Sequence, residues 1–345
     1  MKTHAALLIS VALVVFAKDA QSAPAEKKEV PTRYSYTDLG TLASNSCSAG
    51  GIKGGFVAGT SGADAFLFHK GAMEDIGTLK GGTWSNGSAV NAAGQVTGNA
   101  SIQNAPVGGG AFHAFLYSNG VMRDLGTLGG NSIGHAINSA GHVVGDTDSG
   151  GAFLYKNGKM ESIALATALG INSSGDVVGS VKGSAHAGLY SHGSVTDLNT
   201  LLSPVDAPYI TLQRATGISN NGIIVAKGVD LRMPSLDGSA FLIANGTVTN
   251  LGSFGGGAAN PSAVNSDGEV VGAALLSNFT TYHAFTYKDG TLTDLNTVID
   301  PSRPLPSFIF LQDAVGITKK GVILAVALDT QVGENHCYVL KPIKH

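Results

Sequence analysis

The chain has 345 residues, only 13% of them charged, and a formal net charge of −3. That balance excludes a basic nucleic-acid surface and a like-charged interaction tail. The 48 glycines follow no triplet period, which excludes collagen; beside many Val, Ile, Leu and Phe they suit short strands joined by tight turns.

The first element is an export signal. Met1-Lys2, the apolar run AALLISVALVVFA (5–17) and the small-residue stretch KDAQSAPA read as a signal peptide over residues 1–23, cut after Ser22 or Ala23. The apolar run is too short to span a bilayer, and no cysteine near the cut offers a lipid anchor. A polar linker follows at 24–33. No later stretch is apolar for 18 consecutive residues, so the mature chain is expected to have no integral membrane segment and to be secreted or periplasmic.

YSYTDLG (34–40) comes next, a lone strand ending on a phrase that recurs along the chain. Aligned on its Asp, the copies fall at Asp38, Asp75, Asp124, Ser162, Asp197, Asn250 and Asp294. Their mean spacing of about 43 residues lies in the range of four-stranded propeller blades. In the copy that ends at Asp124, GSAVN, GQVTGN, FHAFLY and VMRDLG are predicted strands A, B, C and D. The A–B turns recur as NAAG (91–94), NSAG (138–141), NSSG (172–175), SNNG (219–222), NSDG (265–268) and TKKG (318–321). The C–D turns are Asn-Gly, His-Gly or Asp-Gly between apolar runs, a strong hairpin signal because type I′ turns need positive φ at both central residues. The last element, NHCYVLKP (335–342), is a C strand without a D strand.

These elements predict an all-β fold: a seven-bladed β-propeller of four-stranded antiparallel blades over residues 34–342, its ring closed by the N-terminal strand pairing with the last blade. A β-solenoid is the alternative, disfavoured by the tight hairpins. The register follows from the complete units. Phe115 faces Asp124 and Phe285 faces Asp294, so Tyr338 is expected opposite Asp38 and Leu340 opposite Tyr36.

The phrases HAFLY, GVMRDLGTLGG and INSAGHVVG resemble the HAF-repeat family of bacterial extracellular repeat proteins, over roughly residues 36 to 340. The resemblance implies an exported bacterial protein and brings no assigned chemistry with it.

The A–B and C–D turns should lie on one face and the longer, variable B–C and D–A connections on the other. Binding is expected on the variable face, near the central channel mouth. The ligand-binding candidates there are Trp84, His135, Tyr209, Arg214, Arg232, Tyr282 and Phe308. Trp84 reads as a stacking platform or, by preference, as a residue packed between blades. The repeated pairs His113–Asp124, His186–Asp197, His283–Asp294 and His336–Asp38 are diagonal neighbours on strands C and D. Their repetition around a ring favours a structural hydrogen bond over a catalytic dyad. Cys47 and Cys337 fall in the closure region; a bridge needs Cα atoms within about 7 Å. Because strand C lies outside strand A, two buried thiols are favoured and the disulfide is the alternative.

No Cys-x-x-Cys, His-Glu-x-x-His or Gly-x-Ser-x-Gly pattern occurs. No catalytic residue, metal or cofactor is therefore assigned. The reading is of a monomeric binding propeller for a glycan, surface polymer or protein, without nucleic acid. The alternatives are a propeller lyase or glycosidase and a purely structural surface protein.

Overall fold

The computed structural model describes residues 32–42, 46–103, 110–149, 151–233 and 238–343. The signal peptide expected at 1–23, and the linker up to residue 31, lie outside them. Residues Thr32–His345 form one compact unit, a seven-bladed β-propeller of four-stranded antiparallel blades. Blades one to six occupy 47–75, 85–124, 132–162, 165–197, 210–250 and 255–294 in chain order. Among the described residues no helix is long and apolar enough to cross a membrane.

Blade seven is composite. Its strands A, B and C are Ile309–Ile317, Ile323–Asp329 and Glu334–Pro342, and its D strand is Tyr34–Asp38. The register places Asp38 opposite Tyr338 and Tyr36 opposite Leu340, as the repeat requires. Leu39 N–H extends the pairing to the Cys337 carbonyl at 3.0 Å.

The repeated residues explain the blades. The Phe of strand C is fully buried in blades one, two, three, five and six, as Phe66, Phe115, Phe153, Phe241 and Phe285. Each ring lies opposite a residue without bulk on strand B: Gly59, Gly98, Gly145, Ala226 and Gly272. A Cβ on Gly145 would overlap the Ile133 carbonyl and press on the Phe153 ring. The Asp after each D strand closes a local turn by accepting from the N–H two residues on, as Asp124 does from Gly126 at 2.7 Å. Where Asn replaces that Gly, at Asn199 and Asn296, the same bond caps a short 3-10 turn, at Leu198–Leu201 and Leu295–Thr297. These two turns lie inside connections that the sequence presents as plain loops.

The Asn that opens the A–B turn in blades two, three, four and six accepts from two backbone N–H groups, as Asn91 does from Ala93 and Gln95 at 3.0 and 3.1 Å. Turns are also tied to the next blade. Asn91 donates to the Asn138 carbonyl, Asn138 to that of Asn172, Asn221 to that of Ser266 and Asn265 to that of Thr318, at 2.9–3.3 Å. Ser173 N–H donates to the Asn220 side chain at 3.0 Å. This girdle runs from blade two to blade seven. Among the described residues it does not reach blade one, whose turn is Lys53-Gly54-Gly55-Phe56 with positive φ at both glycines.

The seam between blades seven and one is closed differently. Cys47 and Cys337 form a disulfide, their Cα atoms 5.6 Å apart. This corrects the expectation of two buried thiols. The distance argument from strand A to strand C applies within one blade, but Cys47 opens strand A of blade one and meets strand C of the preceding blade face to face. The bridge lies in a cluster with Leu39, Ile52, Val57, Phe66, Leu324 and Val339.

Candidate functional site

The residues expected to bind ligand do not converge. Trp84 is buried at 3% exposure, with its ring centroid 5.7 Å from that of Phe112, so it packs between strands and offers no open platform. His135 stands on a bulge of the inner strand of blade three and reaches Asp146 within that blade at 3.1 Å. Arg214 is exposed on the inner strand of blade five, opposite Lys227. Tyr282 starts strand C of blade six, and Phe308 packs against the core of blade seven.

Only Tyr209 and Arg232 come together. Arg232 lies 5.4 Å from the Tyr209 ring centroid and bonds Asp230 and Asp206, each at 2.9 Å. The Asp230 and Asp206 bonds raise its already high pKa further, and both carboxyls are held below their usual range chiefly by hydrogen bonds. The guanidinium therefore ties two connections of the variable face together, with its charge neutralised.

The His–Asp pairs form as blade-edge bonds: His113–Asp124 at 3.0 Å, His186–Asp197 at 2.6 Å and His283–Asp294 at 2.7 Å. At the closure His336 approaches Asp38 at the looser distance of 3.6 Å. Burial works against the Asp197 carboxylate, but bonds from His186 and Asn199 outweigh it and hold the carboxyl below its usual range. In each complete pair the Asp also serves its own turn, so both carboxylate oxygens have structural duties.

The large concavity lies on the opposite face from the expected one. A cavity of about 920 Å³ opens among the A–B turns. Its floor includes Ile52, Ile171, Ile218, Val264 and Ile317, at or next to the ends of the inner strands. Its wall continues along the seam between blades seven and one, where Thr37, Leu39 and Val339 meet Val57 and Phe68. The physical reason is the uniformity of the turns. Short Asx-closed turns leave the ends of the inner strands uncovered, whereas on the other face the two long connections, 198–209 and 295–308, lead into inner strands whose first residues, Ile210 and Ile309, are buried.

One titratable group in the inner wall escapes the repeat pattern. Asp313, on the inner strand of blade seven, has its Oδ1 sealed from water and without a hydrogen-bond partner. Burial pushes its carboxyl up to about 6 from 3.8, against the opposing bond from Ala314 N–H. A carboxyl raised by folding contributes stability below the unfolded value, and that contribution is lost as pH rises through the folded value. Asp313→Asn is therefore expected to be more stable than the parent at pH 7.5, by on the order of 2–3 kcal/mol, and equal to it near pH 4. Thermal unfolding of both proteins across pH 4–8 checks this; parallel curves would refute it.

Among the described residues, no group of three or more His, Cys, Asp or Glu side chains gathers as a cation site. The fold and the cavity together define a velcro-closed propeller with an open channel mouth. Solved structures share the propeller fold. An oligogalacturonate lyase solved with manganese is 11% identical, with 91% of this chain and 97% of that one covered and a TM-score of 0.54. The propeller domain of the Trilobed protease from Pyrococcus furiosus, whose topology is an open velcro, is 9% identical, with 87% and 98% covered and a TM-score of 0.52. A TolB from Acinetobacter baumannii is 12% identical with a TM-score of 0.39, and the chain spans 60% of its length. At these identities the likeness is one of fold alone. No family model matches the chain, and no curated protein matches it.

Proposed function

We propose that the protein is an exported binding propeller whose ligand seats in the cavity at the A–B-turn mouth of the channel. The observation that carries this reading is the cavity itself. Its volume of about 920 Å³ lies in the range of small-molecule and oligosaccharide sites, roughly 300–1,000 Å³. An apolar floor under a polar rim is the usual build of such a site. Export is supported by the signal-like start at residues 1–23 and by the Cys47–Cys337 disulfide, which persists in an oxidising compartment. The rigid ring and the structural duties of each His–Asp pair favour binding over catalysis.

A glycan and metabolite panel read by thermal shift tests the proposal. Ser266→Trp, on the cavity rim, should abolish the shift given by a ligand that the parent binds. A ligand whose shift survives Ser266→Trp but is lost on altering Tyr209 or Leu231 on the variable face would overturn it.

A further inference from the structure

We infer that the cavity is selective for anions, and that its ligand carries at least two separated carboxylate, sulfate or phosphate groups on a body small enough to enter the mouth. The inference rests on the cavity being the ligand seat.

Five lysines line it: Lys53, Lys70, Lys319, Lys320 and Lys341. The chain has 21 Lys and Arg against 24 Asp and Glu, yet no carboxylate is among the lining residues. A protein with a net negative charge has thus gathered about a quarter of its cations around one concavity. None of the five forms an ion pair with a carboxylate among the described residues. By contrast Lys156 and Lys159, outside the cavity, both reach Glu161.

All five lysines fall in one sector, and four of them depart from the repeat; at the Lys341 position blades three and six also carry lysine, Lys156 and Lys288. In the A–B turns of blades two to six the matching positions carry Ala, Ser, Asn or, in blade six, Asp267, but blade seven has Thr318-Lys319-Lys320-Gly321. Blade one substitutes Lys53-Gly54-Gly55 for the Asn-led turn. Its C–D turn brings Lys70, and Lys341 ends the strand that completes the ring. A turn position that only has to close a hairpin is served by Ala, Ser, Asn or Asp, as the other blades show. Five lysines placed around one mouth repel one another in the free protein, and low-dielectric walls focus their field onto the space between them. A bound anion relieves that repulsion. A multiply charged ligand engages several lysines while its uncharged body rests on the apolar floor.

The test is calorimetric titration of the full-length mature protein at low ionic strength. Three anionic probes separate the sources of charge: an oligouronate, a sulfated disaccharide and inorganic tripolyphosphate. A neutral oligosaccharide of matching length is the control. At least one anionic probe should bind, and raising salt to 0.3 M should weaken it. The triple variant Lys53→Gln, Lys319→Gln, Lys341→Gln should weaken it about tenfold. The variant Lys156→Gln, Lys159→Gln should leave it unchanged. Failure of all three anionic probes to bind, or equal binding to parent and triple variant, overturns the inference. If neutral ligand binds and Ser266→Trp blocks it while the lysine variant does not, anion selectivity falls and the cavity reading stands. If anions bind through the lysines but Ser266→Trp has no effect, the charge cluster acts outside the cavity and both readings fall.

Discussion

Deleting residues 34–38 is expected to abolish cooperative folding. These five residues supply the whole outer strand of blade seven, paired from Tyr34 opposite Pro342 to Asp38 opposite Tyr338. Their loss leaves Glu334–Pro342 as a bare edge around the buried run Cys337–Leu340, the kind of strand that recruits another chain. Tyr34 does more than pair. It is 2% exposed, sits in the blade-seven core, and exchanges backbone bonds with Val298 and Asp300 at 2.9 Å. Its hydroxyl reaches the buried Glu269 carboxylate of blade six at 3.4 Å, and burial raises its pKa. Tyr34→Ala alone should cost about 3–5 kcal/mol by the lost packing, a large fraction of the 5–15 kcal/mol that holds a typical native state. Circular dichroism and size-exclusion chromatography should show the deletion protein aggregated or without a sharp thermal transition. A peptide spanning 32–42 should restore part of the fold when added during refolding. A deletion protein that stays monomeric with an unchanged melting temperature would show that the ring does not need this strand.

Breaking the Cys47–Cys337 disulfide is expected to have the next largest effect. The bridge links residues 290 apart in sequence, so it constrains nearly the whole unfolded chain. The chain-entropy argument assigns such a loop about 5–6 kcal/mol, and for a domain of this size that lowers the melting temperature by roughly 9 °C. The location matters as well as the loop length. Among the described residues the turn girdle that ties blades two to seven does not reach blade one, so the bridge and its apolar cluster, with the Leu42 N–H bond to the Ser61 hydroxyl, hold blade one to blade seven. Cys47→Ala with Cys337→Ala should therefore unfold at lower temperature, and added reductant should leave that variant's transition where it is while lowering the parent's. A parent protein indifferent to reductant under denaturing titration would remove the bridge from the account. Loosening this seam also loosens one wall of the lysine-lined cavity, so ligand affinity should fall in the same variant.

The architecture was legible in the sequence because a propeller writes it many times. Most copies repeat the Asp that closes the turn after strand D, the Asn that opens the A–B turn and the Phe packed over a small residue, and a defect in one copy is read through the others. Ser162, Asn250 and Gly188 depart from these positions without obscuring the count. The split blade was legible for a similar reason: a C strand without a D strand at one end and the reverse at the other leave one pairing that satisfies both edges. The register then followed from the Phe–Asp alignment of the complete blades, since both are local to one hairpin.

The concave face was not legible in that way. Loop length pointed to the variable face, but length is also what lets a connection fold over the channel, and Trp84 and Arg232 show such segments spending their side chains on packing and internal ion pairs. The lysines were visible as letters, yet they lie as far apart in the chain as Lys53 and Lys341, and only ring closure brings them to one mouth. The disulfide stood only as the alternative for the same reason, since its two strands belong to neighbouring blades and meet across a seam that no local spacing describes. By itself the sequence determined the blade, the count and the closure, because hairpins join residues near in sequence and repeat their bonds. The tertiary structure alone decided which face is concave, what charge gathers there and how the seam is stapled, because those depend on contacts between chain ends and between blades that each occur once.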